Sequence, residues 1–375
     1  MSPGAALFPV THLVPSRYFG GAEQVVAGLV RRARARGEST RVVTLRGTPA
    51  EAGLVAALGS EVDGPVAWHP ERLAQVDALR LASHVLFHAE RPQIVHAHLP
   101  WPDRLGTALL ARGNRPALVT FQLLPTHPLG GLRDIALAPL SSRFATRVAR
   151  EVAPLILVGL TDIDCARLRE EFPKARVERV YNAPGEPHGQ APTPLPFGSG
   201  VRLFSVGALS ARKGHDRVLR ALAAEPARSQ EFSLCVAGAG EERESLEHLA
   251  LALGIADRVQ FVGQVSAPHL YSQADLFITG SRAEGMPLSL LEAMAAGTAV
   301  AASPIASHAE VLQGIPEALL SEDEQHWSID LQRLVSDVSA RKRLAEAGRQ
   351  RVEQRFSTSV QDAAYRELYA ELAAR

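Results

Sequence analysis

Residues 276–297, LFITGSRAEGMPLSLLEAMAAG, constrain this chain more than any other stretch. Leu276 to Thr279 is a short apolar and β-branched run that reads as a buried strand. A polar turn follows from Gly280 to Gly285, and Pro287 then opens a helix that runs to Ala296 and stops at Gly297. Proline suits the first helical position because the N–H it lacks would be orphaned there anyway. Met286 cannot cap, so the amides of Leu288 and Ser289 stay open to an anion. A helix N-terminus at the C-terminal end of a parallel strand is a natural phosphate seat. Glu284 in the turn and Glu292 in the helix, eight positions apart, flank that seat. They would repel a phosphate but can accept hydrogen bonds from sugar hydroxyls on either side of it. Two solvated glutamates on an ordinary strand–turn–helix unit are the plainer reading of the same residues.

A length of 375 residues makes two domains the default, each with its own core. Hydrophobic content of 46% with 40 basic and 40 acidic residues points to a soluble globular chain without a membrane-spanning run. The opening MSPGAALFPVTHLV lacks the basic flank and clean apolar stretch of a secretory signal. Two cysteines, Cys165 and Cys235, imply no disulfide framework and so a reducing, cytoplasmic setting. Residues 1–185 hold 22 Lys/Arg against 16 Asp/Glu, so the first half is basic and the second acidic. No basic stripe accompanies that asymmetry, and nucleic-acid binding is not expected.

The chain opens with a strand at 8–14, the turn PSRYFGGAE, a helix with apolar positions at Val25, Val26, Leu29 and Val30, and the strand TRVVTL. Gly20 and Gly21 fall where strand passes to helix, and paired glycines let backbone amides approach a ligand closely. The strand in PQIVHAHLPW puts His96 and His98 on one face. A zinc site of the extended metallohydrolase kind would need an acid and a third histidine just downstream, where Pro100 and Trp101 stand, so no metal is expected. ALVTFQLLP is the next strand and carries Gln122. Arg143, Arg147 and Arg150 lie at helical spacing beside Leu140, Phe144 and Val148. That pattern suits either an anionic membrane surface or a solvated helix face. After LILVGL and VERVYNAPG, a Pro/Gly-rich stretch reads as a linker at 186–200. It separates a domain over 1–185 from one over 201–358. The second domain reads as the strand VRLFSV, the loop GALSARKGHD and a helix from near His215, then FSLCVAGAGEE with its Gly238-x-Gly240 turn. RVQFVGQV, the 276–297 unit, TAVAAS, a helix over 330–355 and a final helix over 359–375 complete it.

The segment SRAEGMPLSLLEAMAAGTAV resembles the E-x7-E signature of the retaining glycosyltransferases of family 4. The resemblance implies the GT-B architecture, two Rossmann-like, doubly wound parallel-sheet α/β domains facing a cleft. It implies that the final helix crosses back onto the first domain. GGAE at Gly20–Glu23 resembles the family's loop facing donor phosphates and acceptor, and IVHAH resembles the strand end that would put His98 on the acceptor side. Gln122 stands where many members have a histidine near the reacting sugar; glutamine hydrogen-bonds but takes up no proton. Lys213 stands at the family's phosphate-binding lysine, while Ala208 replaces its usual arginine and Arg212 is the nearest substitute. Gly238 matches the base-side loop, Gly263 and Gln264 the segment that meets the nucleobase, and Glu310 the following unit. The activity that this resemblance implies is transfer of a sugar from a UDP- or GDP-sugar to a glycan, lipid-linked or small-molecule acceptor. Lys213 and the backbone from Gly285 through Met286, Pro287 and Leu288 to Ser289 would hold the departing diphosphate. Glu284 would orient sugar hydroxyls and Glu292 would hold the ribose. No metal and no resident cofactor is implied, and the expected location is cytoplasmic or peripheral at the inner face of the membrane. Gln122 and Ala208 keep a second reading open, a degenerate protein that binds a nucleotide sugar without transfer. A nucleotide-sugar epimerase of the same architecture is a third.

Overall fold

The computed structural model describes residues 9–16, 20–59, 62–68, 80–81, 83–84, 94–100, 117–122, 155–185, 194–265 and 270–374. The chain divides into one unit of Met1–Asn182 with Ser359–Arg375 and a second unit of Ala183–Thr358.

Among the described residues, the first unit is built on a seven-stranded sheet. Its strands are β1 (Val10–Val14), β2 (Thr40–Arg46), β3 (Val62–Ala67), β4 (Ile94–Pro100), β5 (Ala117–Gln122), β6 (Leu155–Gly159) and β7 (Arg176–Arg179). They lie in the order β3-β2-β1-β4-β5-β6-β7, and every pair is parallel. Both faces are covered, which is why the strands read as near-continuous apolar runs. Leu13, Val43, Val95 and Val119 face one core with Leu168 and Phe172 from α3 (Asp162–Glu171) and its C-cap. On the other face Val10, Ile94, Leu118 and Ile156 meet Leu29 of α1 (Gly21–Ala35), beside which α2 (Pro49–Leu58) lies, and Tyr365, Leu368 and Leu372 of the C-terminal helix, Thr358–Ala374. That helix is also tied down by charge. The Arg32 guanidinium donates to Asp362 at 3.0 and 3.1 Å and to Gln361 at 2.9 Å, and Arg36 also donates to Asp362.

In the second unit β8 (Val201–Val206), β9 (Phe232–Ala237), β10 (Val259–Gly263), β11 (Leu276–Thr279) and β12 (Ala299–Ala302) form a parallel sheet in the order β10-β9-β8-β11-β12. Around it stand α4 (His215–Ala223), α5 (Arg243–Ala252), α6 (Leu288–Ala295), α7 (Ala306–Val311), α8 (Trp327–Ser336) and α9 (Val338–Arg351). Both sheets are doubly wound, and in each the strand order reverses beside the first strand. The single helix predicted over 330–355 is interrupted. Asp337 ends α8 and caps α9 by accepting from the Ala340 amide at 2.9 Å, and Val352–Phe356 widens into a π turn. The 287–296 helix is shorter by one residue at each end, because Pro287 (ψ 83°) takes the N-cap and Ala296 the C-cap. No described helix is long and apolar enough to cross a membrane.

Candidate active site

In the second sheet the order reverses between β8 and β11, so the loops after these strands leave the same edge side by side. An open α/β sheet binds its ligands at such a switch point. After β8 the chain makes a 3-10 turn at Ala211–Lys213 and enters α4 through Gly214; after β11 it runs through Gly280–Pro287 into α6. The two loops meet at glycine on both sides. Gly214 is left-handed (φ +63°), a Cβ on it would collide with the Gly280 carbonyl, and a Cβ on Gly280 would collide with that of Gly214. Polar bonds then lock the contact. The Arg282 amide donates to the Arg212 carbonyl at 2.8 Å, and the Arg282 guanidinium grips Asp216 with bonds of 2.7 and 2.8 Å. From α4, Arg217 donates to the Gly280 carbonyl at 2.8 Å while lying 4.3 Å over the Trp327 ring.

This contact places two cations on one carboxylate. Lys213 Nζ is 2.6 Å from Glu284 Oε1, and Arg212 Nη1 is 3.0 Å from Oε2. The Ser281 hydroxyl adds a third donor at 2.8 Å to Oε1. The Glu284 side chain is 9% exposed, against 17% for Lys213 and 31% for Arg212. Burial alone would raise the Glu284 pKa, but the charges of Lys213 and Arg212 overcome it and hold the group below its ordinary value. Lys213, expected to face a phosphate with Arg212 as the nearest substitute for the missing arginine, is closed on Glu284 together with Arg212. Ala208 is exposed on the same loop and contributes no charge. Ser303 and His308 support the Glu284 loop from beneath, and sequence reading missed both. The Ser303 hydroxyl donates to the Ser281 carbonyl at 2.6 Å, and His308 Nδ1 donates to the Ser303 carbonyl at 2.9 Å. Burial lowers the His308 pKa to about 4, so it is neutral at pH 7.

No side chain caps the start of α6, and Leu288 and Ser289 are its first two residues. Gly285 and the buried Met286 lead into it. Glu292 departs from expectation. It is a buried residue, and its Oε2 already accepts the Tyr271 hydroxyl at 2.8 Å, so both oxygens do not stand open to a ribose. Burial raises its pKa, opposed by that hydrogen bond and by the Gly185 amide. The turn at Gly238 is tied on both sides, since Gly238 N donates to Gly263 O at the end of β10 at 2.7 Å and Leu209 N of the loop after β8 donates to Ala239 O at 2.9 Å. Gln264 follows β10 and is exposed.

In the first unit Gly20 caps α1 and Gly21 begins it; the Gly20 amide donates to Glu23 Oε2 at 2.7 Å, so the acid of GGAE is spent on its own helix. The third histidine beside His96 and His98 comes from β1, not from the chain downstream of His98. His12 pairs in register with His96, and ligand atoms of His12, His96 and His98 lie within 4.8 Å of one another. These atoms already serve hydrogen bonds. His12 Nδ1 lies 3.0 Å from His98 Nε2, and His96 meets Tyr369 OH at 2.6 Å and Thr120 Oγ1 at 2.7 Å. Burial lowers all three pKa values, that of His12 to about 3, so the three imidazoles are neutral at pH 7, and the bond to Tyr369 ties them to the C-terminal helix. Gln122 ends β5, but its side chain lies outside the described residues, as do the basic stretch 143–150 and linker residues 186–193.

The family model for Glycosyl transferases group 1 matches residues 196–351, and the Glycosyl transferase 4-like domain matches residues 20–183. Together these cover most of the chain, which belongs to the GT-B glycosyltransferases of this group. The lipopolysaccharide core biosynthesis glycosyltransferase LpsD of Rhizobium meliloti is 30% identical over 220 residues, 57% of this chain and 63% of that protein. Across the curated relatives compared, the matched stretch spans between 24% and 63% of the relative's length. Sucrose-phosphate synthase from Thermosynechococcus elongatus superposes with a TM-score of 0.72 at 20% identity, covering 98% of this chain and 99% of that one. Anabaena HepE in complex with UDP superposes with a TM-score of 0.73 at 17% identity, covering 97% and 100%. At such identities the likeness speaks for the fold, two Rossmann-like parallel-sheet domains.

Proposed function

We propose that the chain is a retaining glycosyltransferase that moves a sugar from a nucleotide-sugar donor to a glycan, lipid-linked or small-molecule acceptor. The observation that carries this reading is Glu284 held between Lys213 and Arg212 beside an uncapped helix N-terminus, at the switch point of the second sheet. As the glycosidic bond breaks, negative charge builds on the departing diphosphate and positive charge on the sugar ring. Lys213, Arg212 and the amides of Leu288 and Ser289 answer the first charge without a resident metal or cofactor. Glu284, released from its cations, orients the sugar hydroxyls near the reacting carbon. Glu292 holds the ribose through the acceptor sites that Tyr271 and the Gly185 amide leave on its carboxylate.

In this reading residues 201–358 form the donor domain, with Gly238, Gly263 and Gln264 on the base side. Residues 1–185 with 359–375 form the acceptor domain, where Gly20, Gly21, His98 and Gln122 belong. UDP- and GDP-sugars are the donors to test first, UDP because the HepE crystal structure contains it. The name of LpsD supports a lipid-linked glycan as acceptor. A cytoplasmic site of action suits such a donor. Peripheral contact of 143–150 with anionic lipid predicts salt-sensitive co-sedimentation with anionic vesicles, and none with neutral ones.

A thermal-shift screen against UDP-, GDP-, ADP- and dTDP-sugars identifies the donor, since a ligand of the folded state raises the melting point. Radiolabelled donor is then incubated with and without acceptor extract. Label passing to acceptor only when extract is present is the expected result. Donor converted without acceptor would make the chain an epimerase, and donor bound but never consumed would leave only binding.

A further inference from the structure

We propose that Tyr271 is a positioning residue for ribose recognition, fixing the carboxylate of Glu292 through its hydroxyl. This rests on the ribose role proposed for Glu292. Tyr271 sits in a 3-10 turn, Tyr271–Gln273, between β10 and β11, and is fully buried. Its ring is boxed edge-on by Phe204 of β8 at 5.5 Å and Phe277 of β11 at 5.4 Å, so it has one orientation. Its backbone is pinned as well, because the Thr298 hydroxyl donates to the Tyr271 carbonyl at 2.7 Å. From that fixed frame the phenol donates to Glu292 Oε2 at 2.8 Å.

Glu292 lies in the second turn of α6, and its χ angles would otherwise let the carboxylate rotate. A phenol hydroxyl has one proton to give and the Gly185 amide one more, so of the carboxylate's roughly four acceptor sites about two remain for a ligand. Recognition of a ribose needs an acceptor held in place, because a misdirected carboxylate cannot serve the 2′- and 3′-hydroxyls together. The hydrogen bond also favours the ionised form that can accept, against the burial that disfavours it. Among the described residues, Tyr271 and Lys213 are the titratable groups whose influence reaches Glu292, and the Gly185 amide is its backbone neighbour.

The test compares UDP with 2′-deoxy-UDP, and GDP with 2′-deoxy-GDP, by calorimetry on wild type, Tyr271→Phe and Glu292→Gln. A general loss of packing weakens both members of a pair alike, whereas loss of positioning narrows the gap between them. Wild type should prefer the ribonucleotide about tenfold or more, the size of a hydrogen bond to a charged acceptor. Glu292→Gln should largely remove that preference. Tyr271→Phe should cut it several-fold and move the acid limb of nucleotide binding to higher pH. If Tyr271→Phe does not fold, Thr298→Val frees the same turn and should narrow the preference in the same direction. A preference intact in Tyr271→Phe but lost in Glu292→Gln overturns the positioning role and leaves the ribose role standing. A wild type with no preference, unmoved by Glu292→Gln, overturns the ribose role itself and this inference with it.

Discussion

Replacing Glu284 with glutamine should tighten binding of the bare nucleoside diphosphate while destroying transfer. In the structure this carboxylate is the anion that Lys213 and Arg212 hold, at 2.6 and 3.0 Å. A diphosphate must compete for the same cations. A hydrogen bond to a charged group contributes roughly 1.5–3 kcal/mol when well shielded. Lys213 and Arg212 keep 17% and 31% of their side-chain exposure, so solvent screens both and the low end for the pair together is the better figure. About 1.5 kcal/mol no longer spent on Glu284 corresponds to roughly a tenfold lower Kd for UDP or GDP, whichever binds wild type. Turnover should move the other way. Glutamine keeps the size of the side chain but not the charge that orients the sugar hydroxyls, and loss of such a contact costs about 10²–10³ in kcat. Calorimetry with the nucleotide alone and initial rates with the intact donor sugar read the two effects separately. An unchanged or weaker nucleotide affinity in Glu284→Gln would refute the reasoning, because the carboxylate would then not be competing with the diphosphate.

Lys213→Ala should lower kcat by about 10²–10³ with a smaller effect on donor affinity, since charge on the diphosphate grows as the bond breaks; steady-state kinetics check it. Near wild-type transfer in Lys213→Ala, with transfer abolished in Arg212→Ala, would reassign the main cation. Gly214→Ala should push the β8 and β11 loops apart, costing more than about 1 kcal/mol in a denaturant titration and most of the transfer, because Ala suits neither the positive φ nor the space. Stability should also fall between pH 6.5 and 5. His12, His96, His98, His215 and His308 all have depressed pKa values in the folded protein, so the unfolded chain binds more protons there. Their contribution is complete above the unfolded value of 6.5 and is lost as pH falls toward the folded values, about 3 for His12 and about 4 for His215 and His308. Urea midpoints that are level from pH 7 to 5 would contradict this.

Most strands were legible because buried parallel strands are apolar runs, and VRLFSV, FSLCVA and LFIT need no partner to be recognised. The E-x7-E spacing was equally local. The histidine cluster was not, because His12 and His96 are 84 residues apart and meet only through the sheet order that sets β1 beside β4. One signal could have found it: a histidine inside the buried run VTHLV must have a hydrogen-bond partner, and HAH offers two of the right kind. The break at Asp337 had a signal too, an aspartate that can cap a new helix. The aim of Arg212 had none, since it depends on a 3-10 turn pressed against a second loop through two glycines.

Two acids beside an anion seat are electrostatically awkward, and the structure answers each in a different way. Glu284 is held by two cations, so the trio carries one net positive charge. Under the proposed function, a sugar hydroxyl takes over the carboxylate and both cations turn to the diphosphate. Glu292 has no cation within bonding distance among the described residues; burial raises its pKa, and a neutral phenol supplies its hydrogen bond. Its place in the second turn of α6, under the proposed function, sets its charge apart from a diphosphate held at the helix start. The spacing of eight residues, under the proposed function, serves both demands. It puts one acid on the loop that reaches the cations, and the other in the second turn of the helix, where Tyr271 can reach it and the first-turn amides stay open between them.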